Sequence, residues 1–105
     1  MFNTPLSPQR NVDCDSTNLG CNGGNSYKAL EFMRVSGIST LANYPYKNVK
    51  GTCNTSAASV TKKITTAYII PVNGDENLLR DIVFSQGPVV VLIHVALLKT
   101  PELYL

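Results

Sequence analysis

Three glycines crowd around a cysteine and an asparagine in Gly20-Cys21-Asn22-Gly23-Gly24, directly ahead of a helical pattern. Glycine reaches positive φ without steric penalty and lets another backbone approach closely. The segment therefore reads in two ways. It is either a turn that needs only conformational freedom, or a strip whose N–H and C=O groups are offered to an extended peptide, as in strand addition. Composition alone leaves both open. Residues 15–24 as a whole, rich in Asp, Ser, Thr, Asn and Gly, form a loop.

Helical period follows at once. Tyr27, Leu30 and Met33 share a face widened by Ala29 and Phe32, with Asn25 as N-cap and Gly37 at the left-handed C-terminal position, so a helix is predicted over Ser26–Ser36. Ser7-Pro8 marks an earlier helix start, because proline is tolerated in a first turn. Residues 37–61 are mostly irregular. Residues 62–71 favour a strand through Ile64, Tyr68 and Ile70. Asp75 caps a further helix over Glu76–Gln86, with Leu78, Leu79, Ile82 and Val83 as its apolar stripe and Gly87-Pro88 as its stop. The β-branched run 89–95 reads as a buried strand. Loop and helix first, then strand, helix and strand, give an α+β class.

With 105 residues, the chain is of single-domain size, and a domain this small buries under about 70% of its unfolded surface. The net charge of +2 does not suggest a nucleic-acid binder, and Lys47, Lys50, Lys62 and Lys63 read as a solvated face. No apolar run reaches the ~18 residues of a membrane-spanning helix. The first five residues lack the basic start and apolar stretch of a secretory signal, so the expectation is either a cytosolic protein or a missing natural N-terminus.

The three cysteines, Cys14, Cys21 and Cys53, leave one thiol free, paired between chains or deprived of its partner. With His94, the only histidine, they formally make a Cys3His zinc set, but their gaps are far wider than the close ligand pairs of structural zinc sites. As a catalytic base His94 would have to activate a cysteine and be oriented in turn. It sits within the apolar run 91–95, where a structural histidine is the plainer reading. Asn54-Thr55-Ser56 is the only N-glycosylation triplet, and Asn54 is a candidate acceptor.

Several motifs carry a resemblance in order and spacing: Leu6-Ser7-Pro8-Gln9, Val12-Asp13-Cys14, Gly20-Cys21-Asn22-Gly23-Gly24, Gly37-Ile38, Tyr44-Pro45-Tyr46 and Gly51-Thr52-Cys53. Ile70-Pro71, Asp75-Glu76, Gly87-Pro88-Val89-Val90-Val91 and the tail with Tyr104 continue it. Together they cover nearly the whole chain, which resembles the papain-like (cathepsin L/S-like) cysteine peptidases. The resemblance implies a partial papain-like fold over residues 1–105: part of the helical left domain and the first strands of the β-barrel right domain. It implies a Cys14–Cys53 disulfide and leaves Cys21 unpaired, because its partner in the family lies upstream of this sequence. Closing that loop of ~40 residues contributes about 4 kcal/mol in the chain-entropy model.

The family's nucleophile lies in a C-G-S/A-C-W/Y segment, with His and Asn about 130–150 residues later. This sequence has no Trp and no such segment, and the family's oxyanion glutamine is also upstream. No catalytic residue is therefore assigned, and the chain alone is expected to be inactive. By resemblance, Gly23 and Gly24 bind the backbone of an extended substrate, while Asn25, Ser26 and Leu92 line the pocket for the side chain two residues before the scissile bond. Asn25 and Ser26 are more polar than is common there, Asn11 replaces a usual leucine, and Pro101 a usual aromatic. No cofactor or metal is implied. The expected partner is an extended peptide, with no nucleic acid or membrane, in a lysosomal or extracellular setting. The alternative is a non-catalytic module binding a peptide, a peptidase or an inhibitor; a free-standing disulfide or metal mini-domain fits the motifs least. With part of the fold absent, the apolar faces at Leu30, Met33, Leu79 and Ile82 would lack packing partners, so the isolated chain is expected to be unstable or aggregation-prone.

Overall fold

The computed structural model of the chain describes residues 4–56 and 63–92. Contacts divide it into two units, the first up to Ile70 and the second from Pro71 onward.

In the first unit, helix α1 (Pro8–Cys14) starts where Ser7 Oγ accepts the N–H of Arg10 at 3.2 Å, with Pro8 in the first turn. Helix α2 (Ser26–Ser36) starts on Asn25, whose side chain accepts the Lys28 N–H at 3.1 Å. It ends on Gly37 at φ 83°, whose N–H returns to Met33 O at 2.9 Å. These caps satisfy backbone groups that a helix end leaves without partners. In the second unit, helix α3 (Glu76–Gln86) has the same design, with Asp75 accepting from Leu78 N at 3.1 Å and Gly87 at φ 94°. Both longer helices have the boundaries the sequence predicts.

The interior of the first unit is polar. Among the described residues the buried apolar side chains are Tyr44 and, in the second unit, Ile82. Ser7, Gln9, Arg10, Asp13, Asp15 and Ser39 are buried with Tyr44. The Asp13 carboxylate accepts from Gln9 Nε2 at 2.8 Å, Gly51 N at 2.8 Å and Tyr44 Oη at 2.9 Å. Gln9 also donates to Val49 O at 2.8 Å and accepts from Lys47 N at 3.0 Å, while Tyr44 Oη accepts from Asn54 N at 3.0 Å. Next to this cluster Cys14 and Cys53 form a disulfide across 39 residues of sequence. One further contact joins the chain before α1 to residues 39–41: an isolated antiparallel bridge between Leu6 and Thr40, with Ser7 N to Ser39 O and Leu41 N to Pro5 O both at 2.9 Å.

The strands expected over 62–71 and 89–95 are not found among the described residues; residues 62 and 93–95 lie outside them. The β part of the expected α+β class is thus not shown: the described residues form three α-helices and one short 3-10 turn. The reason is that a strand exists only through a partner. Its N–H and C=O groups must meet a neighbour's in register, and β-propensity measures fit to such a surface more than a backbone preference. No described segment runs alongside 63–71 or 89–92 in a ladder.

Two expectations follow. Burial acts to raise the pKa of Asp13, but the Gly51, Gln9 and Tyr44 hydrogen bonds and the Lys47 charge outweigh it and hold it below the ordinary 3.8. A depressed carboxyl contributes stability above its unfolded pKa, and that stability is lost as pH falls through the folded value. Amide exchange at Gly51 in the disulfide-intact chain, corrected for intrinsic rates, should therefore stay slow at neutral pH and accelerate only below pH 3.8. Asp13→Asn should lower protection at neutral pH by about 2 kcal/mol, the scale of a hydrogen bond to a charged group, and flatten its acid dependence. The second expectation concerns the apolar surface: Phe84 and Leu92 are each 92% exposed, with Leu19, Val35 and Ile69 also largely open. The isolated chain should bind a hydrophobic dye and sediment as species larger than a monomer; a monomeric sample with a cooperative unfolding transition would refute this.

Candidate functional site

The loop between α1 and α2 is held by a relay of side chains. Asp15, which caps the C-terminus of α1 and is buried, accepts the Thr17 N–H at 3.0 Å, the Thr17 hydroxyl, and Asn18 Nδ2 at 2.7 Å. Asn and Asp side chains favour such local turns because they mimic a backbone partner. Asn18 Oδ1 in turn accepts the N–H of Asn25 at 2.7 Å, and Asn25 caps α2. The relay thus runs from the end of one helix to the start of the next.

The glycine strip lies inside this brace. Gly20–Asn22 forms a 3-10 turn. Gly23 follows at φ 113° and ψ −174°, a region open essentially only to glycine. Its N–H donates to Gly20 O at 3.3 Å and its carbonyl accepts from Leu19 N at 2.9 Å. Gly24 differs: among the described residues no loop or turn hydrogen bond engages its N–H or C=O. Gly24 is glycine for a steric reason, since a Cβ there would lie 2.6 Å from Asn18 Cγ and 2.9 Å from Asn18 Cβ. At Gly20, φ is 60° and the Lys50 stem occupies the Cβ position, with Cδ at 2.6 Å.

Gly23, Gly24, Asn25 and Ser26 line one shallow depression of about 240 Å³ with Asn11 and Val12 of α1. The structure therefore brings together four of the five substrate-binding residues named from the sequence. Leu92, the fifth, lies in the second unit and is not part of this lining. Cys21 is a free, exposed thiol on the 3-10 turn. His94 and Pro101 lie outside the described residues. Asn18, not singled out from the sequence, and Lys50, read there only as part of a solvated face, both shape the strip. Asn18 meets its partner seven residues on and Lys50 acts on Gly20 thirty residues back, and neither spacing is a local pattern.

Residues 2–101 match the family described as papain family cysteine protease. A viral cathepsin of Heliothis zea nuclear polyhedrosis virus is 34% identical over 87 residues, covering 82% of this chain and 23% of the viral protein. Cathepsin Q of Rattus norvegicus is 34% identical over 94 residues, covering 87% of this chain and 27% of cathepsin Q. Among solved structures, the digestive procathepsin L 3 of the Tenebrio molitor larval midgut matches with a TM-score of 0.70 at 32% identity, over 79% of this chain and 28% of that one. The chain thus spans about a quarter of the length of the curated relatives it matches.

Substitutions at the two glycines should separate their roles. Gly23→Ala forces a side chain onto backbone angles that cost about 1–3 kcal/mol, and should speed amide exchange at Leu19, whose N–H rests on Gly23 O. Gly24→Ala should displace Asn18 and speed exchange at Asn25 instead.

Proposed function

The chain belongs to the papain family of cysteine proteases, and from that premise we propose that it supplies part of the substrate cleft of a thiol-dependent peptidase, and is inactive alone. The observation that carries this reading is Gly24. Gly24 lines the depression with Asn25 and Ser26, and its N–H and C=O lie outside the loop's own hydrogen bonding, while those of Gly23 are used within it. An extended peptide pairing with Gly24 would add main-chain hydrogen bonds, and the depression would receive an adjacent side chain. Gly23 then turns the strip and Gly24 does the pairing. Polar Asn25 and Ser26 favour a side chain that can hydrogen-bond there.

Hydrolysis needs a thiolate with a base, an oriented partner and oxyanion donors. The sequence carries neither the Cys-Trp segment nor a second histidine, so residues 1–105 are read as a partial domain without nucleophile, base, orienter or oxyanion glutamine. The setting proposed is lysosomal or extracellular, as a bridged Cys14–Cys53 pair requires an oxidising compartment. A non-catalytic module holding a peptide, a peptidase or an inhibitor through the same strip is the second reading, favoured by the same open Gly24 groups. The mass of the native protein discriminates: peptides flanking both ends support the first reading, and a species ending at Leu105 the second.

The test is an extended peptide amide added to the disulfide-intact chain. Amide signals of Gly24 and Ser26 should shift on binding, with no release of the amide above background. Alkylation-sensitive turnover would overturn the assignment of inactivity, and unchanged signals at Gly24 would overturn the cleft.

A further inference from the structure

The triplet Asn54-Thr55-Ser56 has no part in the cleft, and we infer that Asn54 is an N-glycosylation site whose occupancy competes with closure of the Cys14–Cys53 bridge. All three residues are exposed, with Thr55 and Ser56 in a turn and a non-proline residue between acceptor and hydroxyl. It is the only such triplet in the sequence. The disulfide is an independent pointer, because the oxidising compartment in which such bridges form is also where N-glycans are attached. The inference rests on the secretory setting proposed above.

The step is a group transfer without redox change. Asn54 Nδ2 attacks the anomeric carbon of an oligosaccharide carried on a polyisoprenyl diphosphate. The new N–C bond forms as the C–O bond to the diphosphate breaks. The polyisoprenyl diphosphate leaves with the bonding pair, and the amide proton passes to solvent through the transferase.

Competition follows from the position of the acceptor. Asn54 directly follows Cys53, and its backbone N–H donates to Tyr44 Oη at 3.0 Å within the cluster that also holds Asp13 and Gly51. Once the bridge and this hydrogen bond form, the main chain entering the acceptor is fixed on its N-terminal side. A transferase must draw the triplet into its own site, which an unbridged chain permits more readily. Attachment therefore precedes bridging, and fast bridging leaves Asn54 bare.

The full chain should be expressed behind a cleavable secretion signal in a glycosylating eukaryotic host. That supplies entry to the lumen, so failure of the acceptor is distinguished from failure of the proposed localisation. The expected result is a mass shift removed by an amidase that releases N-glycans, lost in Asn54→Gln and in Ser56→Ala, and present on a larger fraction of Cys14→Ser molecules than of the unsubstituted chain. Absence of any amidase-sensitive shift in both the unsubstituted and Cys14→Ser chains overturns the site. Equal occupancy in those two chains overturns the competition.

Discussion

The Asp13 carboxylate fixes how α1 meets the irregular chain between Tyr44 and Asn54, and the rest of the first unit is arranged around that contact. This stretch has no ladder or helix to satisfy its backbone. Side chains of α1 take that role: Gln9 holds Lys47 N and Val49 O, and Asp13 holds Gly51 N directly and Asn54 N through Tyr44. Three donors on one carboxylate repay its burial, which an unpaired charge would not survive. The Cys14–Cys53 disulfide is the covalent counterpart of the same contact, one residue along at each end from Asp13 and Asn54. Its entropic advantage and the directional network therefore act on one junction.

The strip inherits its shape from this arrangement. Asp13 and Asp15 flank the bridged Cys14 and work in opposite directions, one inward on residues 44–54 and the other outward through Asn18 to the cap of α2. Lys50, on the stretch that Asp13 organises, packs its stem on Gly20. Arg10 ties the far end of α2 to α1 by donating to the carbonyls of Ser36 and Gly37 and lying over the Phe32 ring at 5.1 Å from its centroid. A cation at a helix C-terminus is favoured by the dipole and satisfies carbonyls that lack helical partners. Both ends of α2 are thus held by polar side chains, so the depression beside its first turn is positioned from two sides.

The helices were legible because their information is local. Asn25 with Gly37, and Asp75 with Gly87, mark their ends within a single turn, and the observed limits match. The glycine strip was legible as a special backbone, but the distinct tasks of Gly23 and Gly24 were not. One depends on its own φ and the other on the Asn18 side chain, and only the latter is invisible in a dipeptide. The polar interior was hidden for a related reason. Gln9 and Asp13 stand four apart on α1, which periodicity reads as an exposed face, and their partners lie 31 to 40 residues away. The β-rich stretches are legible only as propensity: pairing is a property of two segments, and no ladder forms among the described ones. Of the motifs that carried the family resemblance, Ser7-Pro8-Gln9, Asp13-Cys14, Tyr44 and Gly51-Thr52-Cys53 supply members of this network and its bridge.

A polar interior changes what stability the strip requires. An apolar core orders its surroundings in proportion to buried area, and no residue of α2 is fully buried. A hydrogen-bonded interior instead specifies partners atom by atom, and leaving one member unpaired costs more than making the bond gains. Among the described residues a single buried side-chain atom, Arg10 Nε, has no hydrogen-bond partner. The geometry of the loop from Asp15 to Asn25 is therefore set by bonds within 4–56 and not by what covers the apolar flank of α2. Exposed Val35 and half-exposed Tyr27 govern association, whereas Asp15, Asn18 and Gly24 govern the strip. Among the described side-chain bonds of helix α3 are its Asp75 cap, the exposed Arg80–Asp81 pair and a Ser85 hydroxyl on Ile82 O. The first unit can thus keep the shape of its strip while its apolar faces remain open.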